Sequence, residues 1–291
     1  MIYEQAKPTD LFLDSVGVVT HVRYSDTPYW NYDLLKSRLV ELGVKHIRDE
    51  VAESVTKTTD ISRLQDLGRS GIKLTLLSMP WLGNTPTSTR DTAVTLKDSL
   101  AAVEGPNEWD VTSKATYQGK AFPDGAVLYQ TQLYYAIKGT AGLYSTPVVG
   151  PSMYNGNQTD TMSTKWVPCD FGNVHSYPGG REPSESRLSG VFIPWAQRTC
   201  VGKPVMATET GYTNAMAHTG IWQRPVNELV GGKYLNRLIF DYFNRGVTRT
   251  FIYELFDQGL STTDPEKRFG LVRNDGSRKP AFTAISNTLS L

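Results

Sequence analysis

The chain is poor in metal-binding side chains, with two cysteines and four histidines in 291 residues. The four histidines are scattered, so no His/Cys/Asp ligand cluster is legible, and neither a metal nor a cofactor is expected. Charge of one sign is lacking as well. Thirty basic and 29 acidic residues leave a formal net charge of +1, which gives no electrostatic case for nucleic acid or an acidic membrane surface as partner. No apolar run approaches the roughly 18 residues of a membrane span. The opening MIYEQAKPTD has no basic segment followed by an apolar one, so no secretory signal is legible there. Low-complexity tracts and clear linkers are also missing, and a single domain over 1–291 is expected.

What remains is an ordinary globular composition, 39% hydrophobic and 20% charged. The length suits one α/β barrel, which takes about 250 residues. Short apolar runs alternate with longer amphipathic stretches. Strand candidates are Ser15–Thr20, Lys45–Arg48, Lys73–Leu77, Ala101–Glu104, Pro147–Val149, Asn173–His175, Pro204–Thr208 and Thr248–Tyr253. Helical patterns lie between them: Asn31–Gly43, Ile61–Leu67, Thr92–Leu100, Ala126–Ile137, Thr159–Trp166, Ser184–Arg198 and Val226–Asn244, with Pro280–Ser290 closing the chain. Strand–helix alternation implies parallel strands with crossover helices. Eight units in this length predict an α/β fold, a single (β/α)8 TIM barrel. A doubly wound open sheet is the weaker reading, because no Gly-rich phosphate loop follows the first strand.

Active sites of such barrels lie at the C-terminal ends of the strands. Polar and aromatic residues collect there: His21 after strand 1, Arg48-Asp-Glu50 after strand 2, and Met79-Pro-Trp81 after strand 3. Glu104-Gly-Pro-Asn107-Glu108-Trp109 follows strand 4, His175-Ser-Tyr177 strand 6, Thr208-Glu209 strand 7, and Tyr253-Glu254-Leu-Phe256 strand 8. A lone glutamate after a strand is most often a surface charge. Here Glu108 and Glu209 stand at ends that face each other across the mouth of an eight-stranded barrel. Two facing carboxyl groups suit glycosidic cleavage, where one protonates the leaving oxygen and the other attacks the anomeric carbon.

These letters resemble the clan A glycoside hydrolases, (β/α)8 enzymes with catalytic glutamates on strands 4 and 7. Gly105-Pro-Asn107-Glu108 is especially similar to their β-xylosidase and α-iduronidase branch, the family 39 type. Ala207-Thr-Glu209-Thr-Gly211, His175-Ser-Tyr177 and Arg48 match three further motifs in the expected order. The resemblance implies a retaining hydrolase with a carbohydrate as partner, Glu108 as acid/base and Glu209 as ionised nucleophile. Arg48 and Tyr177 would hold the charge of Glu209. Asn107 would donate to the sugar 2-hydroxyl, and His175 would line the site near Glu108 or the sugar. Glu104 would be a structural group behind the site.

The chain departs from that pattern at strand 8. The family places a tryptophan there as a platform under the sugar; this chain has Tyr253 and Phe256 as candidate substitutes. Glu254 either binds substrate hydroxyls or pairs with Arg48 or Lys203. Trp81 and Trp109 are each a stacking platform or a packing residue, and His21 is a further candidate for substrate binding. Cys169 and Cys200 each precede a strand, and those strands are expected to be neighbours. They form either a disulfide closing a loop of about 30 residues or two buried thiols. A disulfide would place the protein in an oxidising compartment, secreted or periplasmic. Expected action is endo-hydrolysis of a polysaccharide or oligosaccharide by a monomer. The alternatives are transglycosylation by the same two glutamates or a carbohydrate-binding barrel without turnover.

Overall fold

The β-strands are short, and most bury apolar side chains of one face against the surrounding helices. The architecture comes from a computed structural model that describes residues 6–111, 115–154, 162, 165–185 and 187–290. Its strands are β1 (Val16–Val19), β2 (His46–Glu50), β3 (Lys73–Leu77), β4 (Leu100–Glu104), β5 (Val148–Val149), β6 (Gly172–His175), β7 (Val205–Thr210) and β8 (Val247–Ile252). The helices are α1 (Thr9–Asp14), α2 (Tyr32–Leu42), α3 (Lys57–Arg69), α4 (Pro86–Thr95), α5 (Asp124–Lys138), α6 (Ile193–Thr199), α7 (Glu228–Asn244) and α8 (Pro280–Leu289).

All ladders are parallel, in the order β5-β4-β3-β2-β1-β8-β7-β6. The two edges meet through a parallel bridge between Val149 and Phe171. There the Gly150 N–H donates to the Phe171 carbonyl at 2.9 Å and the Asp170 N–H to the Val148 carbonyl at 2.7 Å. The sheet is thereby a (β/α)8 barrel, the architecture that the alternation of the sequence predicts.

Period-two alternation sorts the strand residues. Val16, Val18, Ile47, Leu74, Leu76, Val103, Val174, Ala207 and Ile252 point outward and pack with the helices in the main core. Ala102, Val149 and Met206, with Phe171, form a separate small layer inside the barrel. The next inward positions up the same strands are polar: Glu104, Asn173 and Thr208. At Gly17 of β1 a side chain is excluded, since an added Cβ would lie 2.5 Å from the Phe251 ring.

Several helix bounds differ from the sequence expectation for local reasons. The helix expected at Thr92–Leu100 starts earlier, at Pro86, and Leu100 opens β4. A reciprocal capping box sets that start: Thr85 Oγ1 accepts from the Ser88 N–H and Ser88 Oγ from the Thr85 N–H, both at 3.0 Å. The stretch Ser184–Arg198 holds two short turns before α6 rather than one helix. The expected helix at Thr159–Trp166 lies mostly outside the described residues. Helix α2 ends as its sequence predicts, at Gly43, whose φ of 81° is the left-handed C-terminal position that glycine favours. Cys169 and Cys200 form a disulfide, their Cα atoms 6.0 Å apart; this selects one of the two readings that the sequence left open. Among the described residues no helix is long and apolar enough to cross a membrane.

Candidate active site

The site is built around Arg48. Alternation along β2 turns His46, Arg48 and Glu50 to one side, and Arg48 lies 2% exposed inside the barrel. Its fork makes four hydrogen bonds. Nε donates to Glu104 Oε2 at 2.7 Å and Nη2 to Glu104 Oε1 at 2.9 Å. Nη1 reaches Glu209 Oε1 at 2.6 Å, and Nη2 also reaches Asn107 Oδ1 at 2.7 Å. A planar guanidinium can serve two carboxylates in this way where an ammonium cannot. Glu104, fully buried, accepts further from Asn173 Nδ2 at 3.0 Å and Thr208 Oγ1 at 2.9 Å. It is a buried anchor for Arg48 rather than a cleft residue.

Glu209 comes to Arg48 through an irregularity in β7. Consecutive strand residues normally face opposite ways, yet Thr208 and Glu209 both reach the interior polar cluster. The register of β7 shifts against β8 between Ala207 and Thr210, and β6 shifts against β7 between Val174 and His175. Such shifts are the usual device for re-aiming a side chain. Tyr177, two residues beyond β6, then donates its hydroxyl to Glu209 Oε2 at 2.8 Å.

Glu108 is placed by a different irregularity. Its φ is 41°, a left-handed conformation costly for a side chain with a Cβ. The Glu108 N–H donates to the Ser152 carbonyl at 3.1 Å and lies 3.2 Å from Ser152 Oγ, which ties the strained turn to the β5 end. The carboxyl meets His175 Nδ1 at 2.7 Å. One oxygen of Glu108 and one of Glu209 lie within 4.8 Å of each other.

Environment drives the two carboxyls apart. Burial pushes Glu108 up, and the charges of Glu209 and Asp110 add to this; the His175 contact opposes it without reversing it. Burial pushes Glu209 the same way, but His175, Arg48 and the Tyr177 hydroxyl outweigh it and hold the carboxyl below its usual range. Burial disfavours the charged form of His175, yet Glu209 and Glu108 raise it above an ordinary histidine. The two shifts run in opposite directions: Glu108 holds a proton more readily than an ordinary glutamate, and Glu209 less readily.

The cleft over this centre has a volume of about 360 Å3. Of the residues picked out in the sequence, His21, Arg48, Trp81, Asn107, Glu108, Tyr177, Glu209 and Tyr253 line it. The structure does not bring the others to its surface. His175 is 1% exposed at its side chain and touches Glu108 from behind. Trp109 is 1% exposed, its ring set edge-on between Trp81 and Tyr129. Its Nε1 donates to the Ala115 carbonyl at 3.1 Å, so of its two sequence readings the packing one holds. Phe256 is fully buried against Tyr29 and is no sugar platform; its place is in the main core. Glu254 is also fully buried and pairs with neither Arg48 nor Lys203. It accepts from Tyr29 at 3.0 Å and Gln258 at 3.1 Å, lies 3.5 Å from His21 Nε2, and burial raises it to about 8.

Other lining residues carried no motif. Arg23 and Tyr24 come from the β1–α2 loop, Gln223 from the β7–α7 loop, Glu266 from the β8–α8 loop, and Tyr154 follows β5. Glu50 was legible only as part of the strand 2 end. It accepts from Arg23 Nε at 2.9 Å and lies 3.3 Å from His21 Nδ1. Burial disfavours the His21 cation, but Glu50 and Glu254 override it and raise the ring to about 9. His21 stacks on Tyr24, centroids 4.3 Å apart. Glu108, His175 and Glu209 are close enough to suggest a cation site. Their facing atoms are instead committed to one another, to Tyr177 and to a guanidinium at 2.6 Å, so we assign no metal to them.

No protein-family model matches the chain, and no curated protein does. Solved structures do. A family 39 glycoside hydrolase from the gut symbiont Bacteroides cellulosilyticus WH2 matches with a TM-score of 0.65 at 16% identity, over 97% of this chain and 64% of that one. GH5_18 from Streptomyces cattleya, in complex with GlcNAc, gives 0.70 at 15% identity over 94% and 79% of the two chains. The β-glucuronidase of Bifidobacterium dentium, complexed with coumarin-3-O-glucuronide, gives 0.63 at 16% identity over 94% and 46%. This chain therefore spans less than two thirds of the first and less than half of the third. At such identities the likeness is one of fold: the chain has the barrel of clan A-like glycoside hydrolases, with the family 39 type among its neighbours.

Proposed function

We propose that the protein is a retaining glycoside hydrolase that cuts O-glycosidic bonds of a polysaccharide or oligosaccharide by double displacement. The observation that carries this is the pair of oppositely biased carboxyls whose oxygens approach within 4.8 Å. Retaining enzymes hold the two groups about 5–5.5 Å apart, whereas inverting ones leave about 6.5–9.5 Å for a water. In the first step the Glu108 carboxylic acid gives its proton to the glycosidic oxygen. The Glu209 carboxylate bonds to the anomeric carbon as the leaving group departs. In the second, Glu108, now a carboxylate, takes a proton from water; the water oxygen bonds to the same carbon and the ester to Glu209 breaks. Arg48 and Tyr177 receive the charge returning to Glu209. Asn107, its Oδ1 held by Arg48, directs its amide to the sugar 2-hydroxyl. Trp81 and Tyr253 supply apolar faces, and His21 with Glu50 reads hydroxyls. The partner is a carbohydrate, the action endo, and the acting unit a monomer of one catalytic domain over 1–291. The disulfide supports an oxidising compartment, secreted or periplasmic.

A panel of defined polysaccharides assayed for new reducing ends tests the activity. Glu108→Gln is expected to lower kcat/KM by about a hundred- to ten-thousand-fold on the substrate found. Glu209→Gly is expected to be inactive and to regain turnover with azide, yielding a glycosyl azide. Sugar binding without released product over long incubation would refute hydrolysis.

A further inference from the structure

Behind the two glutamates, Thr208 sits where three polar groups converge. Its Oγ1 lies 2.7 Å from Asn173 Oδ1, 2.9 Å from Glu104 Oε1 and 3.0 Å from His175 Nε2. All four residues are buried. The hydroxyl has one proton to give. The orientation of Asn173 is fixed, because its Nδ2 donates to Glu104 Oε1 and to the Gly150 carbonyl, both at 3.0 Å. Turning that amide over would set its oxygen against a carboxylate and a carbonyl. Asn173 Oδ1 is thus an acceptor only, and Glu104 Oε1 already accepts from Asn173 and Arg48. Thr208 gives its proton to one of these two and shows a lone pair to His175. The Nε2 atom of His175 therefore carries its hydrogen whether the ring is neutral or charged. In the neutral ring, Nδ1 is left bare at 2.7 Å from Glu108 Oε1.

We propose that Thr208 is a positioning residue for proton transfer: it pins neutral His175 as the Nε2–H tautomer and so makes the His175–Glu108 pair hold one acid proton between Nδ1 and Oε1. The proposal rests on the acid/base role given to Glu108. Without that proton a nitrogen lone pair would face a carboxylate oxygen. A ring free to move its hydrogen to Nδ1 would donate to the same carboxylate and let the proton go at lower pH. In the first half-reaction the pair delivers this proton to the glycosidic oxygen. In the second, the repulsion across the emptied contact makes Glu108 a stronger base toward water, which returns the proton. The other charged groups around the pair are Glu209, with Oε2 3.6 Å from Nδ1, Glu104 across the Thr208 hydroxyl, then Arg48, Asp110 and Glu266, beside the Tyr177 and Tyr154 phenols. All keep their side chains when Thr208 is changed.

Nitrogen-15 NMR of the histidine-labelled, intact protein reads the tautomer without turnover. At a pH where His175 is neutral, an Nε2–H ring is expected; an Nδ1–H ring overturns the proposal, whether or not the protein cleaves any sugar. In the active enzyme, Thr208→Val is expected to move the basic limb of the kcat/KM profile down by about one pH unit, the worth of one hydrogen bond, or about tenfold in rate on that limb. Thr208→Ser, which keeps the hydroxyl, should leave the limb in place. An unmoved limb in folded Thr208→Val, or equal shifts in both variants, overturns the proposal. If the valine variant does not fold, the wild-type tautomer decides alone.

Discussion

Tyr177→Phe isolates one contact in the proposed chemistry. The phenol donates a 2.8 Å hydrogen bond to Glu209 Oε2, and its removal leaves the carboxylate with Arg48 at 2.6 Å and His175 at 3.6 Å. A hydrogen bond to a charged group is worth about 1.5–3 kcal/mol. At 1.36 kcal/mol per unit, losing it should raise the Glu209 pKa by roughly 1–2 units. Glu209 must be ionised to attack, so the acid limb of kcat/KM should move up by that amount while the basic limb, set by Glu108 and His175, stays. The same loss penalises the second half-reaction, in which charge returns to Glu209. On a substrate with a good leaving group the glycosyl-enzyme should then accumulate, with a burst ahead of a kcat lowered about ten- to hundred-fold. The assay is a pH–rate profile with pre-steady-state product release. An acid limb that does not move, or a basic limb that moves in its place, would refute the assignment of Tyr177 and Glu209 to one charge-holding unit.

Other consequences are independent of any substrate. Arg48→Met strands Glu104 and Glu209 inside the barrel and should cost roughly 3–5 kcal/mol of stability; adding Glu104→Leu should recover much of it, and a neutral single variant would contradict the hub geometry. His21 is raised to about 9 in the folded chain against roughly 6.5 unfolded. Its stabilising contribution is complete below pH 6.5 and is lost as pH rises through 9, so Tm should fall over that window and fall less in His21→Gln. Glu254, raised to about 8, acts with the same sign and accounts for a residual slope. Reducing and blocking the Cys169–Cys200 bridge, 31 residues apart in sequence, should cost about 3–4 kcal/mol by chain-entropy arithmetic; an unchanged denaturation midpoint would show that the unfolded chain gains no freedom there.

The sequence by itself determined the barrel and part of the rim; Arg23, Tyr24, Tyr154, Gln223 and Glu266 line the cleft without any motif to mark them. Eight apolar runs with helical stretches between them leave parallel strands and crossovers as the economical arrangement, and the end of each strand can be read directly. Alternation along β4 and β6 even places Glu104 and Asn173 on the inner side. Tertiary structure decided what those residues do to one another. Thr208 and Glu209 both reach the interior where the pairing of β7 shifts register against β6 and β8. Glu108 meets His175 through a left-handed turn tied to Ser152, 44 residues away. Trp109 and Phe256 look like sugar platforms on the page, but α5 and the β1–α2 loop bury them. Local patterning fixes which side chains can face the barrel axis, because the strand period is intrinsic to the backbone. The partner of a buried charge is chosen by packing across strands that the sequence keeps far apart.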